Sequence, residues 1–233
     1  MAEKKFLPFI VLQILEELSD ESHILSTNEL IDHIEMRSGI SIERRTLYSN
    51  IEILEQAGYT INKFADNGKG YYLEKRQFSK GEVLLLCNAI HASHFISSKQ
   101  SNVLITSLLN TLNKYDQKDY HDAVYMPNMQ KTSNDLLFEN IAKLSEAIQK
   151  KKVIQFVYMH YDSNKKLVPK RETLYTVEPR FIVYQDSRPY LITTSKTHPG
   201  FAHYRIDKIC KLSITSEKVN PFMKESEQDA YHY

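Results

Sequence analysis

Between Ser41 and Tyr59 the chain reads SIERRTLYSNIEILEQAGY, and its polar groups are of the kinds that read duplex DNA. Helical spacing of Leu47, Ile51 and Leu54 turns Arg45, Tyr48, Ser49 and Glu52 outward, with Arg44 and Thr46 flanking them near the start. A guanidinium donates in bidentate fashion to guanine, threonine meets a thymine methyl or a phosphate, and the first free amides of a helix favour phosphate. The segment is therefore expected to lie in the major groove. Lys69, with Lys63, is placed to reach a neighbouring phosphate, which adds affinity and little sequence information. An arginine pair alone is also common at a solvated helix start, so the surrounding elements carry the argument.

A second constellation lies further on, where Lys170, Arg171, Arg180, His203 and Arg205 are interleaved with tyrosines that include Tyr158 and Tyr190. Guanidinium groups pair with phosphates and phenol rings stack on bases, the combination used by single-strand binders. The plainer reading, tyrosines filling a small core with basic residues at its rim, has equal standing for any one residue. His91 and His94 have the i, i+3 spacing of shared metal ligation, yet no Cys, Asp or Glu completes a set, and neither a metal nor a cofactor is expected. Cys87, within VLLLCNAI, reads as a core thiol. No Walker A loop, G-x-S-x-G elbow, H-E-x-x-H pair or paired-carboxylate motif occurs in a matching context, so catalysis is not expected.

The elements that must hold these groups follow from periodicity. Ile10, Val11, Ile14, Leu15 and Leu18 predict a helix over Phe9 to Leu18; Thr27 is the expected cap of a second helix carrying Leu30, Ile31 and Ile34, broken at Ser38-Gly39; a third runs from Ile42 to Gln56 and closes at Gly58. Tyr59 to Phe64 and Tyr71 to Leu73 predict a hairpin turning at Asn67-Gly68, a wing beside a helix-turn-helix. Ser79 with Glu82, and Ser97 with Gln100, have capping-box spacing before helices over Val83 to Ile90 and Val103 to Leu112. The polar stretch from Asn113 to Asn134, with Pro127, is expected to be a linker with limited regular structure. Asn134 is the expected cap of a helix over Asp135 to Gln149. Short β-prone runs follow at Val153 to Tyr158, Tyr175 to Val177, Phe181 to Tyr184, Tyr190 to Thr194 and Ile209 to Ile214, with turn chemistry that includes Pro199-Gly200, and they suggest a small barrel. The fold class is thus α+β.

Bulk properties permit this reading without requiring it. The 233 residues, 42% hydrophobic, suit two modest domains, and 30 basic against 29 acidic residues leave any polyanion site to local clustering. Two distant cysteines, no cleavable leader and no apolar run long enough to span a bilayer give the expectation of a soluble, cytoplasmic protein with no membrane partner.

The stretch SIERRTLYSNIEILEQAGYTI, then GKGYYL and QFSKGEVLLLCNAIHASHFISSKQSNVLITSLL, resembles the amino-terminal part of bacterial or phage WYL-domain transcriptional regulators. VIQFVYMHYD, LYTVEPRFIVYQDSRPYLITTS and HYRIDKICKLSI resemble the WYL domain itself, in which an Sm-like β-barrel is expected. Tyr190 and Leu191 match two letters of the naming tripeptide while Pro189 stands for the tryptophan; Tyr204, Arg205, Ile206 and Asp207 match the family's later aromatic-Arg-aliphatic-Asp segment. Ser49 and Asn50 stand where such proteins carry an Arg-Asp pair, so a charged phosphate contact or intrahelical pair is missing.

The resemblance implies a winged helix-turn-helix over 1–76, a helical connector over 77–133, a WYL-type sensor barrel over 134–216 and a polar tail over 217–233, without the α/β extension into which many such regulators continue. It implies operator DNA held through Arg44, Arg45, Thr46, Tyr48, Ser49 and Lys69. It further implies a single-stranded nucleic acid or nucleotide-like effector held through Tyr158, Arg171, Arg180, Tyr190, His203 and Arg205. A homodimer reading two half-sites is expected, assembled through the middle helices or the barrel. The alternatives are an RNA or single-strand binding module and, further off, a nucleotide-processing enzyme.

Overall fold

A computed structural model of the chain describes residues 3–123, 130–164, 166–196 and 200–221. The expected turn at Pro199-Gly200, the linker proline Pro127 and most of the polar tail involve residues outside that set. Contacts divide the chain into two compact units: Met1–His91 with Val103–Pro127, and Ala92–Asn102 with Asn128–Tyr233.

In the first unit, helix α1 (Leu7–Leu18) packs on α2 (Thr27–Ser38) and α3 (Arg44–Gln56). Leu7, Val11, Ile14, Leu15, Leu30, Ile34, Leu47 and Ile51 form its dry core, as the helical spacing requires. Ser26, one residue before the expected Thr27, caps α2 in a reciprocal box with Glu29, and Gly39 ends that helix at φ 68°.

The hairpin after α3 departs from expectation. Its strands, β1 (Ile61–Asn62) and β2 (Tyr72–Leu73), are short, and between them the chain makes a helical turn, α4 (Phe64–Asn67), ended by Gly68 in the left-handed region. Asn67-Gly68 therefore closes a helical turn and does not form a two-residue hairpin loop. The cause is local: Asp66 accepts the Lys63 amide at 2.9 Å, and the Asn67 carboxamide accepts the amides of Lys69 and Gly70 while donating to Asn62 and to the Gly70 carbonyl.

Leu25 pairs with Tyr71 as a one-residue third strand, bringing the backbones so close that a Cβ on Gly70 would lie 2.2 Å from the Leu25 carbonyl oxygen. Gly70→Ala is expected to destabilise the unit by about 1–3 kcal/mol through forced separation of these strands, read as a lowered urea midpoint at unchanged m-value.

Helices α5 (Lys80–Ala92), α6 (Ser98–Leu109) and α7 (Lys114–Ala123) follow, with Val83, Cys87, Ile105, Leu109, Leu112 and Tyr120 at their junction. The Ser79–Glu82 box forms as its spacing predicts. Helix α7 corrects the expectation of an irregular linker. Its cap is Asn113, whose Oδ1 accepts the amides of Tyr115 and Asp116 and whose Nδ2 donates to Asp20. The low apolar content suggested a linker, but Tyr120 is buried and Tyr115 stacks on His23 with ring centres 3.4 Å apart.

The second unit sets α8 (Leu137–Gln149) against an antiparallel sheet of β3 (Lys152–Tyr161), β4 (Leu167–Pro169), β5 (Tyr175–Gln185), β6 (Arg188–Thr194), β7 (Ala202–Arg205) and β8 (Ile209–Lys218). The order is β4-β3-β5-β6-β7, with β8 paired to β3. Long β3 serves β4 and β5 along one edge and β8 along the other, and register shifts in β3–β8 and at Pro179/Phe181 in β5–β6 help curl the sheet into a half-barrel. The two runs expected at Tyr175 and Phe181 are one strand broken in register at that bulge. Strands β4 and β7 carried no clear signal because each is short. Asn134 does not cap α8, which begins later: its Oδ1 accepts the Leu136 amide, and its Nδ2 donates to the carbonyls of Asp207 and Ile209.

Candidate functional site

On the first unit a groove of about 490 Å³ is lined by Ser26, Thr27 and Asn28 at the start of α2, Arg44 and Tyr48 on α3, and Phe64, Ala65, Lys69 and Tyr71 of the hairpin. Arg44, Arg45, Tyr48, Ser49 and Lys69 are exposed, and Thr46 is half-buried. Arg44 donates to the Asn28 side chain at 3.2 Å, tying the head of α3 to that of α2. Lys63 pairs with Glu55 at 2.8 Å, so it is turned to α3 and not held ready for a phosphate. Asn50 is buried and donates to the Thr46 carbonyl at 2.6 Å, so this position faces inward.

Tyr71 is a groove-lining residue that sequence reasoning did not single out. It is buried; burial pushes its phenol up, Thr27 draws it down and Tyr48 adds to the rise. Asn67 likewise shapes the loop that presents Lys69. Asn67→Ala removes the hydrogen bonds that fix this loop and is expected to lower stability by about 1–2 kcal/mol, checked by a thermal melt.

On the second unit Phe156, Tyr158, Tyr175 and Tyr204 pack together, with Phe156 and Tyr175 stacked at 5.5 Å and Tyr158 edge-on to Tyr204 at 5.1 Å. The Arg171 guanidinium lies 3.5 Å from the centre of the Tyr175 ring and donates to the carbonyls of Thr173 and Leu174. The Tyr158 hydroxyl accepts the Arg205 amide at 3.3 Å, and burial pushes its phenol up. Tyr190 sits across from Arg205 in the β6–β7 ladder. Arg205 itself grips buried Asp207 through two bonds of 3.0 and 2.6 Å, and that hydrogen bonding raises its guanidinium further.

The structure thus brings Tyr158, Tyr190 and Arg205 to one place and links Arg171 to them through the aromatic cluster. It does not bring Arg180 there: Arg180 lies at the opposite end of the β5–β6 ladder, where it pairs with buried Glu178 at 2.6 Å and donates to Thr194 and the Asn220 carbonyl. His203 is exposed on β7, across from Ile192.

Two cations that sequence reasoning left out, Lys208 and Arg188, join Lys170 here. Lys208 follows Asp207 in the turn before β8, with its ammonium 5.6 Å from the centre of the Tyr161 ring. Burial pushes Lys208 down first, the charge of Arg205 lowers it further, Asp207 opposes them, and Arg188 and Lys170 add to the fall. Arg188 shares a face of β6 with Tyr190, and the Lys170 amide donates to the Tyr158 carbonyl at 2.8 Å. Arg205 is neutralised by Asp207, whereas Lys170, Arg188 and Lys208 have no carboxylate within ion-pair distance among the described residues. With Arg188 and Lys208 half-buried and Lys170 exposed, these like charges repel one another and gain from an anion. The spacing of Arg188 and Tyr190 on one strand was the available signal.

Among the described residues no three His, Cys, Asp or Glu side chains come together as a metal site, and no helix is long and apolar enough to cross a membrane.

The family model of the WYL domain matches residues 139–214, spanning most of α8 through the first half of β8. Among solved structures the chain is similar to Proteasome accessory factor B/C (PafBC) of Arthrobacter aurescens, at 16% identity and a TM-score of 0.31, covering 97% of this chain. The chain spans 34% of the length of that protein. No curated protein matches in sequence.

Proposed function

We propose that the chain is a DNA-binding transcriptional regulator. Its first 76 residues read duplex DNA as a winged helix-turn-helix, and residues 134–216 form a sensor of Sm-like plan for a single-stranded nucleic acid or nucleotide-like effector. The single observation that carries the reading is that each unit presents its own surface of uncompensated cations beside tyrosines: Arg45 and Lys69 beside Tyr48, and Lys170, Arg188 and Lys208 beside Tyr158, Tyr161 and Tyr190. The groove suits a phosphate backbone, since Arg44 and Lys69 line it beside Ser26, Thr27 and Asn28, while Arg45 and Ser49, exposed on α3, are left for base edges. The protein acts in the cytoplasm as a homodimer on two half-sites, and the effector changes the fraction of dimers able to span them.

The test is fluorescence anisotropy with duplex DNA from upstream of the protein's own coding region, titrated across salt. Saturable binding that falls steeply with salt and is lost in Arg45→Ala supports the reading. No specific duplex binding at any salt, with tight single-strand binding by the full chain, refutes it and favours an RNA-binding module.

A further inference from the structure

The second unit holds a cavity of about 310 Å³, at the lower end of the range usual for small-molecule sites. It lies where β5 passes from its pairing with β3, through Val177, to its pairing with β6, through Glu178. None of Lys170, Arg188, Lys208, Tyr158 and Tyr190 lines it, so it is separate from the cationic cluster.

Val153 and Val177, buried on β3 and β5, give the cavity an apolar wall, and Leu174 adds a side chain that is 46% exposed. An aliphatic group left so open beside buried valines gains by being covered. Four charged side chains share the space, and three of them are already matched. Buried Glu178 accepts from Arg180 and Thr194 at 2.6 and 2.9 Å through Oε2, and from the Asn220 amide at 3.0 Å through Oε1. Lys196 pairs with Glu217. Arg171 is the charge left over, with no carboxylate within ion-pair distance among the described residues.

The guanidinium of Arg171 is also held in place. Its Nε and Nη2 donate to the carbonyls of Thr173 and Leu174 at 3.2 and 2.9 Å, and the Tyr175 ring lies 3.5 Å beneath it. Those bonds occupy the side edge of the fork and leave the end edge, Nη1 with the second Nη2 hydrogen, for a planar acceptor with two oxygens. A fork fixed in this way loses little further rotamer freedom on binding.

We infer that this cavity is a site for a small monocarboxylate with an apolar body. The carboxylate meets the end edge of Arg171, and the body covers Leu174 against Val153 and Val177. One uncompensated positive charge suits a monoanion, whereas the second charge of a phosphate monoester would face Glu178 and Glu217. Arg171, grouped by its sequence neighbours with the effector contacts, serves this cavity. The inference stands on the cavity and not on the proposed function, so either can fail alone.

The test is an amide NMR titration of the full chain with benzoate and hexanoate, two body shapes, and with benzamide as the uncharged counterpart. At least one carboxylate is expected to shift the amides of 153, 174–178, 195–196 and 217 saturably by about 10 mM. For benzoate, benzamide should be weaker by about tenfold or more, the loss of a charge-assisted bond. Arg171→Met should weaken both carboxylates by a similar factor and leave benzamide within about twofold. Thr176→Trp, at an exposed position of β5 that lines the cavity, should abolish all three while oligothymidylate binding stays within about twofold. No saturable shift with either carboxylate overturns the site. Equal binding of benzoate and benzamide overturns the role of Arg171, and shifts confined to 188–190 and 205–208 would place the anion at the cationic cluster instead.

Discussion

Replacing Arg45 by alanine is expected to weaken duplex binding about 5- to 150-fold at fixed salt, the loss of about 1–3 kcal/mol that attends removal of one bidentate base contact. The expectation rests on its position: Arg45 is exposed beside Tyr48 and Ser49, one residue from the groove-lining Arg44. Because nothing in the core touches it, stability should change by no more than about 0.5 kcal/mol. Arg44 provides the internal comparison. Held to Asn28 at the head of α2, it is placed for a backbone contact, so Arg44→Ala should lower affinity evenly across sequences and reduce the salt slope by about one. Titrations of both variants on the upstream duplex and on a scrambled duplex, at several salt concentrations, separate the two roles. Equal loss on both duplexes for Arg45→Ala would remove it as a base reader.

Lys208→Met is expected to make the empty protein more stable and the anion-bound protein less so. Burial, Arg205, Arg188 and Lys170 together outweigh Asp207 and hold the Lys208 ammonium below its ordinary value. The folded state therefore binds fewer protons than the unfolded chain between the lowered value and the ordinary one. Across that window stability rises with pH, whereas below it the charged form carries its full penalty. Methionine removes the penalty at neutral pH and should stabilise the second unit by up to about 1 kcal/mol, a figure held down by solvent screening of a half-exposed group. A polyanion reverses the balance. At about a hundredfold excess over its dissociation constant, an oligonucleotide should stabilise the unaltered chain by about 2.7 kcal/mol, and most of that gain should vanish in the variant. Thermal melts with and without oligothymidylate at neutral and alkaline pH read both halves of the prediction. A variant that is less stable when empty, or that keeps the full gain, would show that Lys208 does not repel its neighbours or does not meet the ligand.

The amphipathic helices were legible in the sequence because each buries one stripe: the spacing of Leu47, Ile51 and Leu54 located α3 and, by elimination, the outward face with Arg45 and Tyr48. Shape made by side-chain wrapping was not legible. Asn67-Gly68 has the signature of a tight hairpin turn, yet the Asn67 carboxamide makes four hydrogen bonds to Asn62, Lys69 and Gly70 and builds a wider loop around a helical turn. Helix α7 was hidden because its sequence has no apolar stripe, while the Asn113 cap, buried Tyr120 and the Tyr115–His23 stack that hold it carry no periodic signal. In the second unit, charge type alone could not separate cations already paired, Arg180 with Glu178 and Arg205 with Asp207, from those left unpaired. That distinction depends on strand register, which sets Tyr190 against Arg205 and Tyr158 against Ile209.

On the function proposed, one chain holds duplex DNA on its first unit and a single-stranded or nucleotide-like polyanion on its second. Hydrogen–deuterium exchange of the full protein with each ligand tests it most directly. The upstream duplex is expected to slow exchange at 26–28, 44–49 and 67–71, and oligothymidylate at 158–161, 188–191 and 205–209. Protection of the same segments by both ligands, or of the second unit alone by the duplex, would contradict it.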